Sequence, residues 1–279
     1  SYKAWSQELQ AYAMTDAPDK ELSYWNAVSK YRVQAGEVKK APLATSTLNT
    51  EEASATVTVS LTNSETESLL HRVPSVYNSH INDVLLTALA RAWQQWTGSS
   101  GLYVNLEGHG RERLLRDLDI SRTVGWFTSI FPVQLQLPEG EKGWEPGEAL
   151  KSIKEQLRNI PKRGVGYGLL RFLRNDAGLA ATTEASVVFN YFGQFDQVLS
   201  GSKLFSFAKE STGRWHGSQQ RRRHRLEVNS MVKDGQLTFS WTHCPDLVAE
   251  AAINHLASEL LIAIRELMLY CQLPSAGGR

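Results

Sequence analysis

The chain has 279 residues, 42% of them hydrophobic, and 30 basic side chains against 29 acidic ones give a net charge of +1. This length and composition suffice for one large packed domain or two small ones. The near-neutral balance excludes a general electrostatic attraction to nucleic acid or to an anionic membrane. Cys244 and Cys271 are the two cysteines, which rules out a disulfide framework, leaves room for at most one bridge and fits a reducing compartment.

The two ends of the chain indicate a segment of a longer cytoplasmic protein. Residues 1–17 are amphipathic and contain no apolar stretch of the kind that signal peptides carry. Charged residues interrupt the apolar stretch 256–271, so we expect no membrane span and no membrane partner. The chain begins with Ser1, and residues 275–279 have the composition of a linker.

Hydrophobic periodicity predicts helices and strands that interleave along the chain. The predicted helices cover, in chain order, residues 2–14, 20–33, 62–72, 79–96, 150–160 and 247–271. The predicted strands cover residues 55–61, 102–106, 133–137, 186–192, 226–232 and 236–242. A polar linker is expected near residues 34–52.

Three local signals support these predictions. Thr62 and Glu65 form the T-x-x-E pattern of a capping box, which marks the start of a helix. Apolar residues in 79–96 recur at i, i+3, i+4, i+7 and i+8, so one face of a long helix is buried. Asp234-Gly235 between two alternating segments predicts a β-hairpin. The fold class that follows is α/β, with a mixed sheet and helices packed on it.

The segment Glu107 to Glu112 reads E-G-H-G-R-E and follows a predicted strand, so we expect Glu107 on a turn at the wall of a cleft. A carboxyl beside glycines serves as a general acid or base when burial raises its pKa. A glycine turn with solvated charges explains the same pattern when it is taken alone. His109 has no second histidine at metal-ligand spacing, so we expect no metal site.

Three further segments have both a structural and a functional interpretation. Residues 122–128, R-T-V-G-W-F-T, form an aromatic-rich loop that either fills a core or contacts a ligand. Residues 164–168 are glycine-rich but lie between helices rather than after a strand, which argues against a dinucleotide site. Asn190 and Tyr191 lie at the end of a buried strand, where they either cap the sheet or bind a carbonyl group.

The order of these segments is more specific than any one of them. E-G-H-G-R-E, R-T-V-G-W-F-T, P-x-x-G-x-G-Y-G (161–168) and F-N-Y-x-G-Q (189–194) resemble the motif series of epimerization domains of nonribosomal peptide synthetases. Tyr77-Asn78 followed by residues 81–86, I-N-D-V-L-L, is similar to an earlier helix of that family. Phe192 stands where the family usually has leucine. The resemblance covers residues 2–279 and implies a lobe similar to chloramphenicol acetyltransferase within the condensation-domain superfamily.

One family motif has no counterpart in this sequence. Epimerization and condensation domains share an H-H-x-x-x-D-G motif in an N-terminal lobe, and none of the seven histidines here is adjacent to another. By resemblance, residues 1–50 are a helical inter-lobe segment and residues 51–279 are the C-terminal lobe. The N-terminal lobe of the same domain is therefore an expected partner.

The resemblance also implies a reaction. The substrate would be an L-aminoacyl or peptidyl thioester on the phosphopantetheine arm of a peptidyl carrier protein, with no cofactor bound by this chain itself. Glu107 would exchange the Cα proton, opposite the second histidine of the missing motif, while Asn190 and Tyr191 would support the thioester oxygen. Arg111 would orient the glutamate loop. The supporting or tunnel-lining residues implied are His109, Arg111, Trp126, Thr128 and Tyr167.

Two other functions fit part of the pattern. A condensation domain, which forms peptide bonds, shares the fold but not E-G-H-G-R-E or F-N-Y-x-G-Q. A non-catalytic carrier-binding lobe is the second alternative. The basic run Arg221 to Arg225 is interpreted as a solvated strand end, or as a contact for an acidic carrier protein; without interleaved aromatic residues it does not indicate nucleic acid.

Overall fold

The computed structural model describes residues 1–34, 49–112, 118–138, 144–182, 184–196, 210, 212–274 and 276–277. Most of the predicted 34–52 linker lies outside these residues. The helices are α1 (Tyr2–Ala13), α2 (Leu22–Gln34), α3 (Asn63–His71), α4 (Val73–Tyr77), α5 (Ile81–Thr97), α6 (Pro146–Arg158), α7 (Val165–Gly168), α8 (Ala177–Ala180) and α9 (Glu250–Tyr270). The strands are β1 (Ala55–Ser60), β2 (Gly101–Gly108), β3 (Ser129–Gln136), β4 (Val187–Gln194), β5 (Leu226–Lys233) and β6 (Gln236–His243).

The six strands form one mixed sheet in the order β1-β6-β5-β4-β2-β3. Strands β2, β4 and β5 are parallel to one another and lie towards the middle of the sheet. Antiparallel pairs flank them, with β3 beside β2, and β6 followed by β1 beside β5. Parallel neighbours need long crossover connections, so the middle of the sheet brings distant segments of the sequence together.

One face of the sheet is the hydrophobic core. Helices α5, α6 and α9 cover it, and α5 packs along α9. Alternate residues of every strand point into this layer, and Phe239 and Trp241 of β6 are fully buried there. The period-two pattern of the strands and the apolar stripes of the helices meet at this layer, so their burial is its main source of stability.

The opposite face of the sheet is polar. It carries Thr56, Thr58 and Ser60 of β1, hydroxyl side chains of β6, and Glu227 and Asn229 of β5, all partly or fully exposed. Hydroxyl pairs such as Thr56 with Thr242, 3.1 Å apart, link neighbouring strands on this face.

The local signals are confirmed. Thr62 and Glu65 form the capping box at the start of α3, with the backbone N–H of Thr62 donating to Glu65 Oε2 at 2.8 Å. Asp234 and Gly235 both have positive φ, 52° and 74°, as the turn between β5 and β6 requires. The predicted α/β fold with a mixed sheet is correct.

The predicted position of Glu107 on a turn is wrong. Strand β2 continues to Gly108, because β3 extends the antiparallel ladder as far as the pair Gly108–Ser129. Glu107 is therefore held inside the sheet opposite Ile130. Among the described helices, none is long and apolar enough to cross a membrane.

Candidate functional site

The parallel strands β2 and β4 bring Glu107 and Asn190 together. Leu106 pairs with Phe189 across the two strands, so the next residues, Glu107 and Asn190, lie side by side on the polar face. Asn190 Nδ2 donates a hydrogen bond to Glu107 Oε2 at 2.8 Å. Two predicted site residues separated by 83 positions are thus in direct contact.

A cavity of about 550 Å³ opens at this end of the sheet. This volume is within the usual range of small-molecule sites. Polar and apolar groups line it in nearly equal measure: His80, Asn82, Asp83, Leu86, Leu106, Glu107, Phe131, Leu157, Arg158, Ile160, Arg163, Phe189, Asn190 and Tyr191. The three residues predicted to be catalytic, Glu107, Asn190 and Tyr191, all contribute to its wall.

The surroundings of Glu107 favour its protonated form. The residue is exposed as a whole, but partial desolvation of its carboxyl raises the pKa, and the negative charge of Glu227 raises it further. A raised pKa brings a carboxyl closer to the pH at which it can both accept and return a proton. Burial also raises the pKa of Tyr191, whose hydroxyl therefore stays protonated and available as a donor.

Helix α5 contributes a second carboxyl to the cavity. Asp83 is 6% exposed and accepts a hydrogen bond from the backbone N–H of His80 at 2.7 Å. Burial raises the pKa of Asp83, while that hydrogen bond opposes the rise. This carboxyl caps the first turn of α5, which gives it a structural role beside the cavity.

Arg111 organises the loop that follows β2. Its guanidinium donates to the carbonyl oxygens of Ile120 at 2.6 Å, Thr123 at 2.9 Å and Gly125 at 3.3 Å. The guanidinium also lies 4.1 Å from the ring centroid of Phe127. Arg111 thus holds the R-T-V-G-W-F-T segment in place rather than touching the Glu107 carboxyl.

The other predicted supporting residues do not line this cavity. The ring of Trp126 is mostly exposed, Thr128 is half-buried, and His109 lies 3.1 Å from Glu112 on the outer loop. Tyr167 is buried against Trp25, and its hydroxyl accepts from Arg171 Nη1 at 2.5 Å. Their assignment to a substrate tunnel stays a prediction for the complete domain.

Sequence reasoning missed His80, Asp83, Arg158 and Arg163 as cavity residues. The Y-N-x-x-I-N-D similarity could have identified the first two, since it spans the start of α5. Arg163 lies in an unusual turn in which Lys162, Arg163 and Gly164 all have positive φ, of 45°, 50° and 85°. Residues with side chains seldom adopt this conformation, so no local pattern predicts it.

The interpretation of the basic run as a solvated strand end is wrong for two residues. The Arg222 side chain is fully buried and lies 3.1 Å from Glu227. His224 is buried next to Asn105 of β2, with 2.9 Å between their side-chain nitrogens, and burial lowers its pKa to about 4. Arg223 pairs with Glu184. Within the fold, Glu227 and Glu184 pair with Arg222 and Arg223, and Asn105 contacts His224. Asn105 and Glu184 come from distant segments, whereas Glu227 follows the run directly.

Within the described ranges, no group of three or more histidine, cysteine or acidic side chains is placed to hold a metal ion.

The fold and the cavity at the sheet end define the chain as an α/β domain of the kind found in solved peptide synthetase structures. The epimerization domain from the third module of tyrocidine synthetase B matches with a TM-score of 0.84 and 32% identity, covering 97% of this chain and 60% of that one. The EpoB cyclization-docking bidomain from Sorangium cellulosum matches with a TM-score of 0.65 at 17% identity, covering 96% of this chain and 52% of that one, which shows the fold alone.

Residues 1–276 match the condensation domain family, and the chain belongs to that family. One of the linear gramicidin synthase proteins of Brevibacillus parabrevis is 44% identical over the whole chain. Bacitracin synthase 2 of Bacillus licheniformis is 39% identical over 90% of it. The chain spans only 5% and 10% of the lengths of these two relatives.

Proposed function

We propose that this chain is the C-terminal lobe of an epimerization domain, which converts an L-aminoacyl or peptidyl thioester on a carrier protein into its D form. The observation that carries the proposal is the contact between Asn190 and Glu107 at the wall of a cavity. The epimerization domain of tyrocidine synthetase B, at 32% identity, supports the same activity.

Glu107 would exchange the proton at Cα. Removal of that proton leaves a carbanion whose charge spreads to the thioester oxygen, so the site needs a base and a fixed donor for that oxygen. The raised pKa of Glu107 suits a group that takes up and returns a proton. The phenol of Tyr191 and the amide of Asn190 line the same cavity wall and would be the donors to that oxygen.

Inversion also needs a proton donor on the opposite face of Cα. In our proposal the N-terminal lobe supplies it, through the histidine motif absent from this sequence. Residues 1–50 would be the helical segment between the lobes, and residues 51–279 would form the C-terminal wall. The phosphopantetheine arm of a carrier domain would deliver the substrate, and the chain would need no cofactor of its own.

Exchange of the Cα hydrogen tests the proposal. In the intact synthetase, Glu107→Gln keeps the shape of the carboxyl but removes the titrating group. We expect deuterium washout from a Cα-deuterated, carrier-bound substrate to slow by about 10²–10⁴-fold. The control is Glu148→Gln on α6, whose side chain is 63% exposed and lies outside the cavity; washout there should be unchanged.

The same assay separates the alternatives. A condensation domain would consume an acceptor amine without washout at Cα, and a carrier-binding lobe would do neither. Near-native washout in Glu107→Gln would show that Glu107 does not exchange the Cα proton. The chain by itself should fold, because α5 and α9 cover its core, but should give no D-amino acid.

A further inference from the structure

An ion pair between a buried arginine and a partly exposed glutamate lies on the same side of the sheet as Glu107. Glu227 of β5 is on the polar face, 28% exposed, and Arg222 Nη2 lies 3.1 Å from its Oε1. The same Nη2 donates to the carbonyl oxygen of Thr242 at 3.0 Å. The Arg222 side chain has no exposed surface.

Burying the Arg222 guanidinium in this position costs free energy. Its Nε and Nη1 atoms are buried without hydrogen-bond partners. A buried charge with unsatisfied donors destabilises a fold, and a buried ion pair is often no better than apolar residues of similar size. Stability alone therefore gives no reason for Arg222, and its defined contact with Glu227 directs attention to that carboxylate.

The sheet register fixes Glu227 relative to Glu107. Glu227 pairs with Val188 of β4, and Val188 pairs with Asn105 of β2, two positions before Glu107. Glu227 thus stands two strands and one same-face position from Glu107. At about 4.8 Å per strand and about 3.3 Å per residue along a strand, the backbone separation is roughly 12 Å. Val188, which is itself buried, stands on the strand between them.

We propose that Glu227, held in place by Arg222, is a positioning residue for the reaction. Its negative charge favours the protonated form of the Glu107 carboxyl, which can return a proton to Cα. The role of Glu107 in this inference rests on the proposed function. The electrostatic coupling between the two carboxyls is independent of that function.

Other charged or titratable groups face the same region. Helix α5 contributes His80 and Asp83, α6 contributes Arg158, the positive-φ turn contributes Arg163, and β4 contributes the Tyr191 phenol. The negative charge of Glu227 contributes to the raised pKa of Glu107, after desolvation. A change at Glu227 should therefore move that pKa without altering the cavity lining.

The test is a titration of the Glu107 carboxyl by carbon NMR in the chain with ¹³C-labelled glutamate, assigned through the loss of its signal in Glu107→Gln. Glu227→Gln should lower the pKa of Glu107 by roughly 0.3–1 unit, the range for unit charges about 12 Å apart. Glu227→Asp keeps the charge and should retain most of the native value. Arg222→Gln leaves Glu227 without its cation and should raise the Glu107 pKa.

Opposite shifts from the two partners are a signature that a merely structural role would not produce. If Glu227→Gln does not fold, the double variant Arg222→Gln/Glu227→Gln removes both charges and should still shift the pKa downward, by less. An unchanged Glu107 pKa in these variants would overturn the proposal. In the intact synthetase, the pH profile of washout should follow the NMR shifts; a shift by NMR with no Glu107-dependent washout would contradict the proposed function alone.

Discussion

The two faces of the sheet are built from the same strands but obey different rules. On the core face, apolar side chains from every strand pack against α5, α6 and α9. Apolar residues of similar size and shape can replace one another there with little loss of stability. On the polar face, Asn190 Nδ2 lies 2.8 Å from Glu107 Oε2, so the chemistry depends on which residues stand there. A single step along the strand separates Leu106 of the core from Glu107 of the site, so packing and chemistry are fixed together by the register.

The largest expected difference between the faces is in stability. Phe239 of β6 is fully buried, and Phe239→Ala should lower the free energy of unfolding by about 3–5 kcal/mol. Its neighbour Ser240 points to the polar face, and Ser240→Ala should change it by less than about 0.5 kcal/mol. Denaturant unfolding of both variants measures the contrast; equal losses would mean that the polar face is also a packing layer.

The next largest effect is a loss of stability at Gly164, where the core meets the cavity. Gly164 has φ +85°, and a Cβ there would lie 2.0 Å from Cδ1 of Phe131, which lines the cavity. We expect Gly164→Ala to cost more than about 2 kcal/mol, since the left-handed strain and the clash add. Gly98, with φ +76° and open space around it, is the control and should lose only about 1 kcal/mol. Similar thermal midpoints for the two variants would argue against the clash.

A third prediction concerns rate rather than stability. Asn190→Ala removes the donor to Glu107 on the polar face. In the intact synthetase, washout should slow by about 10–100-fold, while unfolding of the isolated chain should change by less than about 1 kcal/mol. If the loss of unfolding free energy were as large as the free-energy equivalent of the slower washout, the role of Asn190 would be structural.

The smallest effect is in the helical layer. Glu65 joins the α3 cap to Arg265 of α9 at 2.7 Å, and the Arg265 hydrogen bond, followed by that of the Thr62 backbone, lowers its pKa from 4.5 to about 2. Because the folded value is depressed, this stabilisation is complete above about pH 4.5 and is lost as the pH falls towards 2. Glu65→Gln should cost at most about 1 kcal/mol at pH 7 and flatten the acid dependence of unfolding. An unaltered acid profile would contradict the assignment.

The sequence predicted those parts of the molecule that local signals determine. The capping box at Thr62, the stripe of α5 and the Asp234-Gly235 turn depend on residues a few positions apart, and all are confirmed. Sheet order depends on distant pairings, and the parallel contact of β2 with β4 has no local signature. The motif series nevertheless identified Glu107, Asn190 and Tyr191, which the fold gathers at one cavity.

The failures have the same physical origin. Arg222 appeared to belong to a solvated run because its burial depends on β6, whose Thr242 carbonyl accepts its hydrogen bond, as well as on the nearby Glu227 at the start of β5. Glu107 was predicted on a turn because the pairing of Gly108 with Ser129 is invisible in the 102–106 pattern. Burial of a charged residue is decided by its tertiary neighbours, and sequence periodicity does not report them.

The position of β1 at the edge beside β6 has a consequence for how the chain folds during synthesis. Thr56 and Thr242 bond to each other across 186 positions. At roughly 5–20 residues per second, a ribosome makes the partner strand roughly 10–40 s after β1 has emerged. The earliest strand of the sheet is therefore among the last to be paired. Until β6 is available, the alternating threonines of β1 keep one side of the strand hydrated.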